Sequence, residues 1–394
     1  MSPTLDDLRR FAIARSLFPR TTLARALDRF GFVQADPIRA PARAQDLMLR
    51  HRVEGYRAGD LERDYAGLGV EEDVFVNYGF VTRAVHDLMH PRTGGPAWSP
   101  ARKKRVAAVL DFVRARGEVH PRQVDSHFAH GTVTNYWGGS SNATTHLLDV
   151  MHYRGLLRVV RRDAGIRVYA AREIERPAAD KTAGKTAGKT ADKTADKTAD
   201  KAERTSRLDA LVDVVVRKYA PLPGPSLSNL VGRLRHAVPQ WRRDLKPALQ
   251  RARDRLAHAE AGGVMWYWPA DETIDAPTPD HAGPPADAVH LLAPFDPVVW
   301  DRRRFEIFWG WAYRFEAYTP VSRRSRGYYA LPLLWRDRIV GWGNIAIKDG
   351  NVQADLGYIA GRPPRDRRYA QALDSELARL RLFLGLAGQP RQDG

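Results

Sequence analysis

Apolar residues recur at helical spacing from the start of the chain. Leu5, Leu8, Ile13 and Leu17 share one stripe across residues 5–17. Leu23, Ala26, Leu27 and Phe30 form a second, after Thr21 and Thr22, either of which can cap a helix start, and Gly31 ends it. A similar order begins at Ser99-Pro100, a cap followed by a first-turn proline, and runs through Val106, Val109, Leu110 and Val113 to Gly117. Next come a short helix at residues 121–128, the segment Asn135-Tyr136-Trp137-Gly138-Gly139-Ser140-Ser141, a helix at 142–154, and two strand-like runs, 156–161 and 166–170. The runs are joined by Arg162-Asp163-Ala164-Gly165. Helix, helix, helix and two-stranded wing is the winged-helix order, and residues 1–98 and 99–176 are read as the first two such modules.

Residues 207–219, 226–237 and 245–261 repeat three helical patterns, and Gly262-Gly263 leads into the apolar run 264–268, so residues 205–270 are read as a third module. A Pro/Asp/Gly-rich loop at 271–285 separates this from a β-rich part, residues 286–390. Its strands are predicted at 313–318, 328–335, 338–347 and 352–359, with turns at Arg336-Asp337 and Asp349-Gly350-Asn351 and a closing helix at 365–384. Between the second and third modules lies a four-residue repeat of the type Asp-Lys-Thr-Ala or Gly-Lys-Thr-Ala without a large apolar side chain, and residues 177–204 are read as a disordered linker. Its Asp residues offset most of its Lys, which favours a spacer over a non-specific DNA tether. The fold class is α+β: tandem winged-helix modules, three of them, then a C-terminal β-rich domain with a closing helix.

Charge narrows the partner. With 63 Lys+Arg against 46 Asp+Glu the formal net charge is +17, a field that favours a polyanion, nucleic acid first. The chain has no cysteine, which excludes disulfides, thiolate metal sites, iron–sulfur clusters and a Cys nucleophile. Asp6, Asp7, Arg9 and Arg10 near the start do not suit a signal peptide, and no apolar run approaches the roughly 20 residues of a membrane helix. A soluble cytoplasmic protein that associates with the bacterial nucleoid when on DNA is the expectation.

Gln34-Ala35-Asp36 is the segment with chemistry. If it is extended, residues i and i+2 point into one space, and an amide beside a carboxylate can hold and deprotonate a water. Asp36 before Pro37 also suits a turn. Arg39, Arg43, Arg50 and Arg52 follow closely and read as phosphate contacts, as do Arg302, Arg303 and Arg304 and the second cluster Arg323, Arg324 and Arg326. Trp137, Tyr328 and Tyr329 suit packing better than base stacking. The histidines, including His86, His90, His127, His130 and His146, show no metal-ligand spacing, and no metal or organic cofactor is expected.

Phe32-Val33-Gln34-Ala35-Asp36, with Arg43-Ala44 and Arg50-His51-Arg52, resembles the glutamine–apolar–aspartate motif of the winged-helix DNA glycosylases, the AlkZ/YcaQ family. The run Leu291-Leu292-Ala293-Pro294-Phe295-Asp296-Pro297-Val298-Val299-Trp300-Asp301-Arg302 is similar to that family's C-terminal signature, as are Tyr313-Arg314-Phe315-Glu316-Ala317-Tyr318 and Gly327-Tyr328-Tyr329-Ala330-Leu331-Pro332-Leu333-Leu334. The Trp137-Gly138 helix entry resembles its second module. The resemblance implies a monofunctional DNA glycosylase acting on alkylated purines or interstrand crosslinks in double-stranded DNA, with water as nucleophile, no Schiff base and no cofactor. Asp36 would stabilise the oxocarbenium-like sugar and act as base, and Gln34 would hold the water. Asn77, Tyr78 and Tyr328 are assigned to the substrate pocket, Tyr78 near the position of a histidine found in many family members. That substitution and the Lys-Thr-Ala repeat depart from the family pattern. A monomer is expected. The alternative is a tandem winged-helix transcriptional regulator whose helix at 142–154 enters the major groove, but that helix offers only Arg154 as a strong base-reading cation, and the β-domain would be unexplained.

Overall fold

The computed structural model describes the chain apart from residues 1, 94–96, 129–130, 135–139, 173–190, 275–286 and 387–394. The Trp137-Gly138 entry, most of the linker repeat and most of the 271–285 loop therefore lie outside the described residues. Helices combine with small antiparallel sheets, which is the α+β arrangement. The chain forms two compact units, one gathering residues 1–64, 213–231 and 252–394, the other 65–212 and 232–251.

In the first unit, the helix Leu5–Ser16 starts with a capping box between Thr4 and Asp7, and the helix Leu23–Phe30 is capped by the Thr22 hydroxyl and ended by Gly31 at φ 62°. Gly31 turns the chain into the strand Phe32–Gln34. The four-stranded antiparallel sheet runs Val289–Leu291, Leu331–Trp335, Arg338–Lys348, Asn351–Tyr358, and the closing helix Arg367–Phe383 packs on its Val289–Leu291 edge. Arg336, Asp349 and Gly350 take positive φ in the predicted turns, and Trp335 pairs with Arg338, Lys348 with Asn351. The core joins the two ends of the chain: Ile13 of the first helix and Leu17, the cap at its end, lie among Leu292, Val299, Phe305, Leu334 and Ile339.

Two ion pairs cross that core. The Arg52 guanidinium forks onto Asp296, Nη1 to Oδ2 at 2.6 Å and Nη2 to Oδ1 at 2.9 Å, with both side chains at 0% exposure, and also donates to the carbonyls of Ser16 and Met48. Arg50 donates to Glu376 at 2.5 Å and to the Leu291 carbonyl. Burial and the flanking arginine charge hold His51 well below the usual histidine range, so it is neutral. Its Nε2–H donates to the Leu291 carbonyl (3.0 Å), which leaves Nδ1 as acceptor and makes His290 Nδ1–H the donor across 3.3 Å.

In the second unit, the hairpin Val70–Val74 with Tyr78–Thr82 leads into the helix Arg83–Met89, capped by Thr82. The helix Pro100–Arg116 starts at Ser99, whose hydroxyl accepts from the Arg102 N–H, and Asn142 caps Ala143–Tyr153 in the same way. Leu157–Asp163 and Ile166–Ala171 form a hairpin through Ala164 and Gly165, both at positive φ, with Glu118–Val119 on its outer edge. Val109, Val113, Val124, Leu148, Met151 and Tyr169 fill the core beneath.

Three expectations are corrected. Residues 313–318 are irregular rather than a strand: the Tyr313 hydroxyl ties to the Ala330 carbonyl and the segment joins no ladder. Residues 257–261 are a strand, not a continuation of the helix Leu245–Arg255, because the Gly262-Gly263 turn pairs them with Val264–Trp268, and pairing overrides a sequence without strand character. The helix Ala191–Tyr219 takes in the last part of the expected linker; from Ala191 the sequence has no glycine or proline and is rich in Ala and Lys, so the helix propagates into it.

Asp296→Asn leaves Arg52 buried without its counter-charge and is expected to cost about 3–5 kcal/mol, whereas Arg52→Met combined with Asp296→Leu should restore most of the loss. Chemical denaturation followed by tryptophan fluorescence distinguishes the two.

Candidate active site

The strand Phe32–Gln34 delivers Gln34 and then Asp36 to a framework built by both ends of the chain. The buried Lys218 amino group donates to the Phe32 carbonyl and lies over the Phe30, Phe32 and Tyr219 rings. Burial, with the charge of Arg52, keeps its pKa well below the usual lysine range. The Trp300 indole N–H, a donor only, meets Gln34 Oε1 at 2.9 Å. That bond fixes which end of the amide is the carbonyl. Trp300 is braced by Tyr219, ring centroids 4.9 Å apart, and stands at the end of the short helix Pro297–Trp300 that Asp296 caps.

Asp36 is 8% exposed. Its N–H donates to Gln45 Oε1 (3.2 Å), and among the described residues the one hydrogen bond to its carboxylate comes from the Ile38 N–H (2.9 Å), an Asx turn across Pro37. The turn role foreseen for Asp36 is thus real, and it occupies only one carboxylate oxygen. Burial raises the Asp36 pKa, opposed only by the Ile38 bond. Its charge reaches the tyrosines of the 313–329 segment. Burial first, then Asp36, raises the pKa of Tyr318 and of Tyr329, whose hydroxyl is buried with no hydrogen-bond partner among the described residues.

The arginines divide. Arg39, Arg303 and Arg323 are exposed, and Arg324 and Arg326 are half-buried, Arg324 over the Tyr328 ring and Arg326 over Trp311. Arg43 pairs with Glu62. Arg50 and Arg52 are interior and spent on Glu376 and Asp296, which corrects their assignment to DNA. Arg302 donates to the Val299 and Pro294 carbonyls, and Arg304 is fully buried on those of Tyr219 and Pro297. These two are structural as well.

A family model described as DNA glycosylase AlkZ-like matches residues 27–383. The chain belongs to this family. The Streptomyces sahachiroi DNA glycosylase AlkZ is similar in fold, with a TM-score of 0.60 over 99% of each chain at 14% sequence identity.

Asn77 and Tyr78 of this AlkZ-like chain sit in the second unit. The Tyr78 hydroxyl donates to Glu72 at 2.5 Å, beneath the Arg167 guanidinium, and Asn77 accepts from Arg233 at 3.5 Å. Arg162 forks onto the same Glu72, holding its carboxyl below the usual range against the opposing effect of burial. Tyr328, the third pocket candidate, is 43% exposed in the first unit.

Sequence reasoning missed Gln45, nine residues from its partner Asp36, and Tyr318, as well as Trp300 and Lys218, whose partners Gln34 and Phe32 lie far away along the chain. His86 and His90, read from the sequence as lacking metal-ligand spacing, are one helical turn apart and meet Asp73 in the second unit. Their nitrogens and a carboxylate oxygen lie within 4.8 Å of one another, as a metal site would need. The Arg92 guanidinium already takes Asp73 Oδ1 at 2.7 Å while His90 takes Oδ2 at 2.7 Å, and the imidazoles stack with planes 15° apart, so their lone pairs do not converge on one point. The cluster is a buried polar network. Arg92 and the His90 bond hold Asp73 ionised despite burial, and burial lowers His86 to about 2.

The raised Asp36 pKa sets a sign. The folded state holds that proton more tightly than the unfolded chain does, so this contribution is complete below the ordinary value of 3.8 and lost as pH rises through the raised one. Asp36→Asn should melt above the parent near neutral pH, and the gap should close on acidification. Thermal melts across that pH range check it.

Proposed function

We propose that the protein is a monofunctional DNA glycosylase, a hydrolase that removes N7-alkylguanine-type purines, including those within interstrand crosslinks, from double-stranded DNA. An alkylated purine carries positive charge and leaves readily, so the enzyme's task is to stabilise an oxocarbenium-like sugar and direct water onto it. Asp36 fits both needs. Its buried carboxylate faces a developing cation in a medium of low dielectric, where attraction is strong, and the oxygen not held by Ile38 can take the proton of the attacking water. Gln34, oriented by Trp300, positions that water. The observation that carries the reading is this frame: a desolvated, ionisable carboxylate two residues along the chain from an oriented amide, in a chain of the AlkZ-like family.

Arg39, Arg303, Arg323, Arg324 and Arg326 are the cations placed to meet phosphates, Arg43 after release from Glu62. We retain Tyr328 of the first unit, and separately Asn77 and Tyr78 of the second, as residues that select the lesion. The helix–hairpin assemblies at residues 1–98, 99–176 and 205–270 act as three winged-helix modules that carry the duplex, with residues 286–390 as the β-domain, in a monomer that works on chromosomal DNA without metal or organic cofactor. Among the described residues no helix is long and apolar enough to cross a membrane.

An oligonucleotide holding one N7-alkylguanine, treated with the protein and then with alkali, should break at the lesion. Asp36→Asn should lose roughly 10²–10⁴-fold in single-turnover rate while keeping its affinity for DNA. Full activity in that variant would remove Asp36 from the mechanism, and no break with any of several alkyl groups would remove the glycosylase reading. Trp300→Phe, which deletes one hydrogen bond worth about 0.5–1.5 kcal/mol, should slow the rate by roughly twofold to tenfold with KM little changed.

A further inference from the structure

The loop after Phe315 presents apolar side chains to solvent without being loose. Tyr318 and Val321 are each 77% exposed. Behind them Glu316 is buried, and its carboxylate accepts from the Ser325 N–H (3.0 Å), the Ser325 hydroxyl (2.7 Å) and the Arg326 N–H (2.8 Å), closing the loop at its neck. Arg324 Nε donates to the Thr319 carbonyl (2.8 Å), and the Arg323 N–H to that of Pro320 (2.9 Å). The Tyr318 ring stands edge-on to Phe315, centroids 6.0 Å apart at 75°, and Phe315 packs on Phe295 and Tyr329. A tyrosine and a valine are thus held outward by a closed loop on an aromatic base. Exposed apolar surface fixed in this way marks a contact surface.

Charge states the partner. Arg314 and Arg323 are exposed beside the two apolar residues, and Arg324 is half-buried. The only acid between residues 313 and 328 is Glu316, consumed by the neck. The surface is apolar at the tip and cationic at the rim, which suits a stacked polyanion: phosphates for the arginines, a base step for the tip. Phe315 packs on Phe295, the residue before Asp296, and Asp296 caps the helix whose Trp300 holds Gln34, so the base of the loop and the Gln34 frame are built from one stretch of chain.

We propose that residues 317–324 form a wedge that enters the duplex at the lesion, Tyr318 and Val321 separating the base step next to the alkylated purine while Arg314 and Arg323 hold the flanking phosphates. This rests on the glycosylase reading. A bent, unstacked step exposes the C1′ carbon to water and brings more phosphates onto the protein, the exchange by which side-chain wedges operate in DNA. Selectivity follows, because a step weakened by an adduct opens more readily than an intact one.

The experiment uses the full chain and duplexes carrying 2-aminopurine beside a single N7-methylguanine. Binding of the Asp36→Asn protein should raise 2-aminopurine fluorescence. Adding Tyr318→Ala and Val321→Ser should abolish most of that rise. In the otherwise wild-type protein the same pair should slow excision from duplex roughly tenfold to a hundredfold, the scale of one lost base–aromatic stack. On a substrate already unpaired at the lesion the loss should be less than about threefold, because the unstacking cost has been removed. Tyr318→Phe should behave as wild type. Arg323→Ala should lower the slope of log affinity against log salt by about 1 with the fluorescence change retained. An unchanged fluorescence rise in the double variant, or equal losses on paired and unpaired substrates, overturns the wedge. So does a double variant that alters the oligomeric state and not the DNA response, which would make the patch a protein contact. If the wild-type protein releases no base yet raises the fluorescence through Tyr318 and Val321, the wedge stands and the glycosylase reading falls.

Discussion

The first unit depends on the fork between Arg52 and Asp296. Two ions at 0% exposure gain little net stability over apolar residues of the same shape, since desolvation consumes most of their attraction. What the fork supplies is position. Arg52 holds the Ser16 and Met48 carbonyls on one side, Asp296 caps the helix that ends in Trp300 on the other, and Trp300 orients Gln34. The Gln34 amide is therefore aimed by residues of the C-terminal part, so the N-terminal motif and the run beginning at Leu291 are oriented together.

The same logic governs the interior cations. Lys218 and Arg304 stand on backbone carbonyls, and Arg50 stands on Glu376 and the Leu291 carbonyl. Each donates to a backbone carbonyl, an acceptor that is costly to bury unpaired. Among the described residues the buried basic side chains are few (Arg9, Arg15, Arg50, Arg52, Arg92, Arg304 and Lys218), and pairs that cancel add nothing to the net +17, so the excess charge sits mainly on exposed and half-buried side chains such as Arg39, Arg303 and Arg323.

Elements with local causes were legible. Thr22, Gly31, Ser99-Pro100, Asn142 and the Asp349-Gly350 turn all act as their residue types predict, because caps and turns are settled within a few residues. Residues 257–261 and 313–318 were misread because their state is decided by a partner strand or by its absence. At the site, Gln34 and Asp36 were visible through spacing, whereas Gln45 and Trp300 carry no local mark of their role. Arg50 and Arg52 misled for a physical reason: an arginine bound for the core and one bound for a phosphate have the same side chain, and only Glu376 and Asp296, hundreds of residues onward, separate them.

The Arg52–Asp296 contact spans 244 residues. At synthesis rates of about 5–20 residues per second, the ribosome delivers the Gln34-Ala35-Asp36 segment roughly 10–50 s before its partner exists. Throughout that interval the nascent chain carries the motif without the frame that orients its amide. Any product terminated before residue 296 remains in that condition. The Gln34 amide thus gains its orienting partner only after translation has passed Trp300, so the order of synthesis itself delays completion of the frame until most of the chain exists.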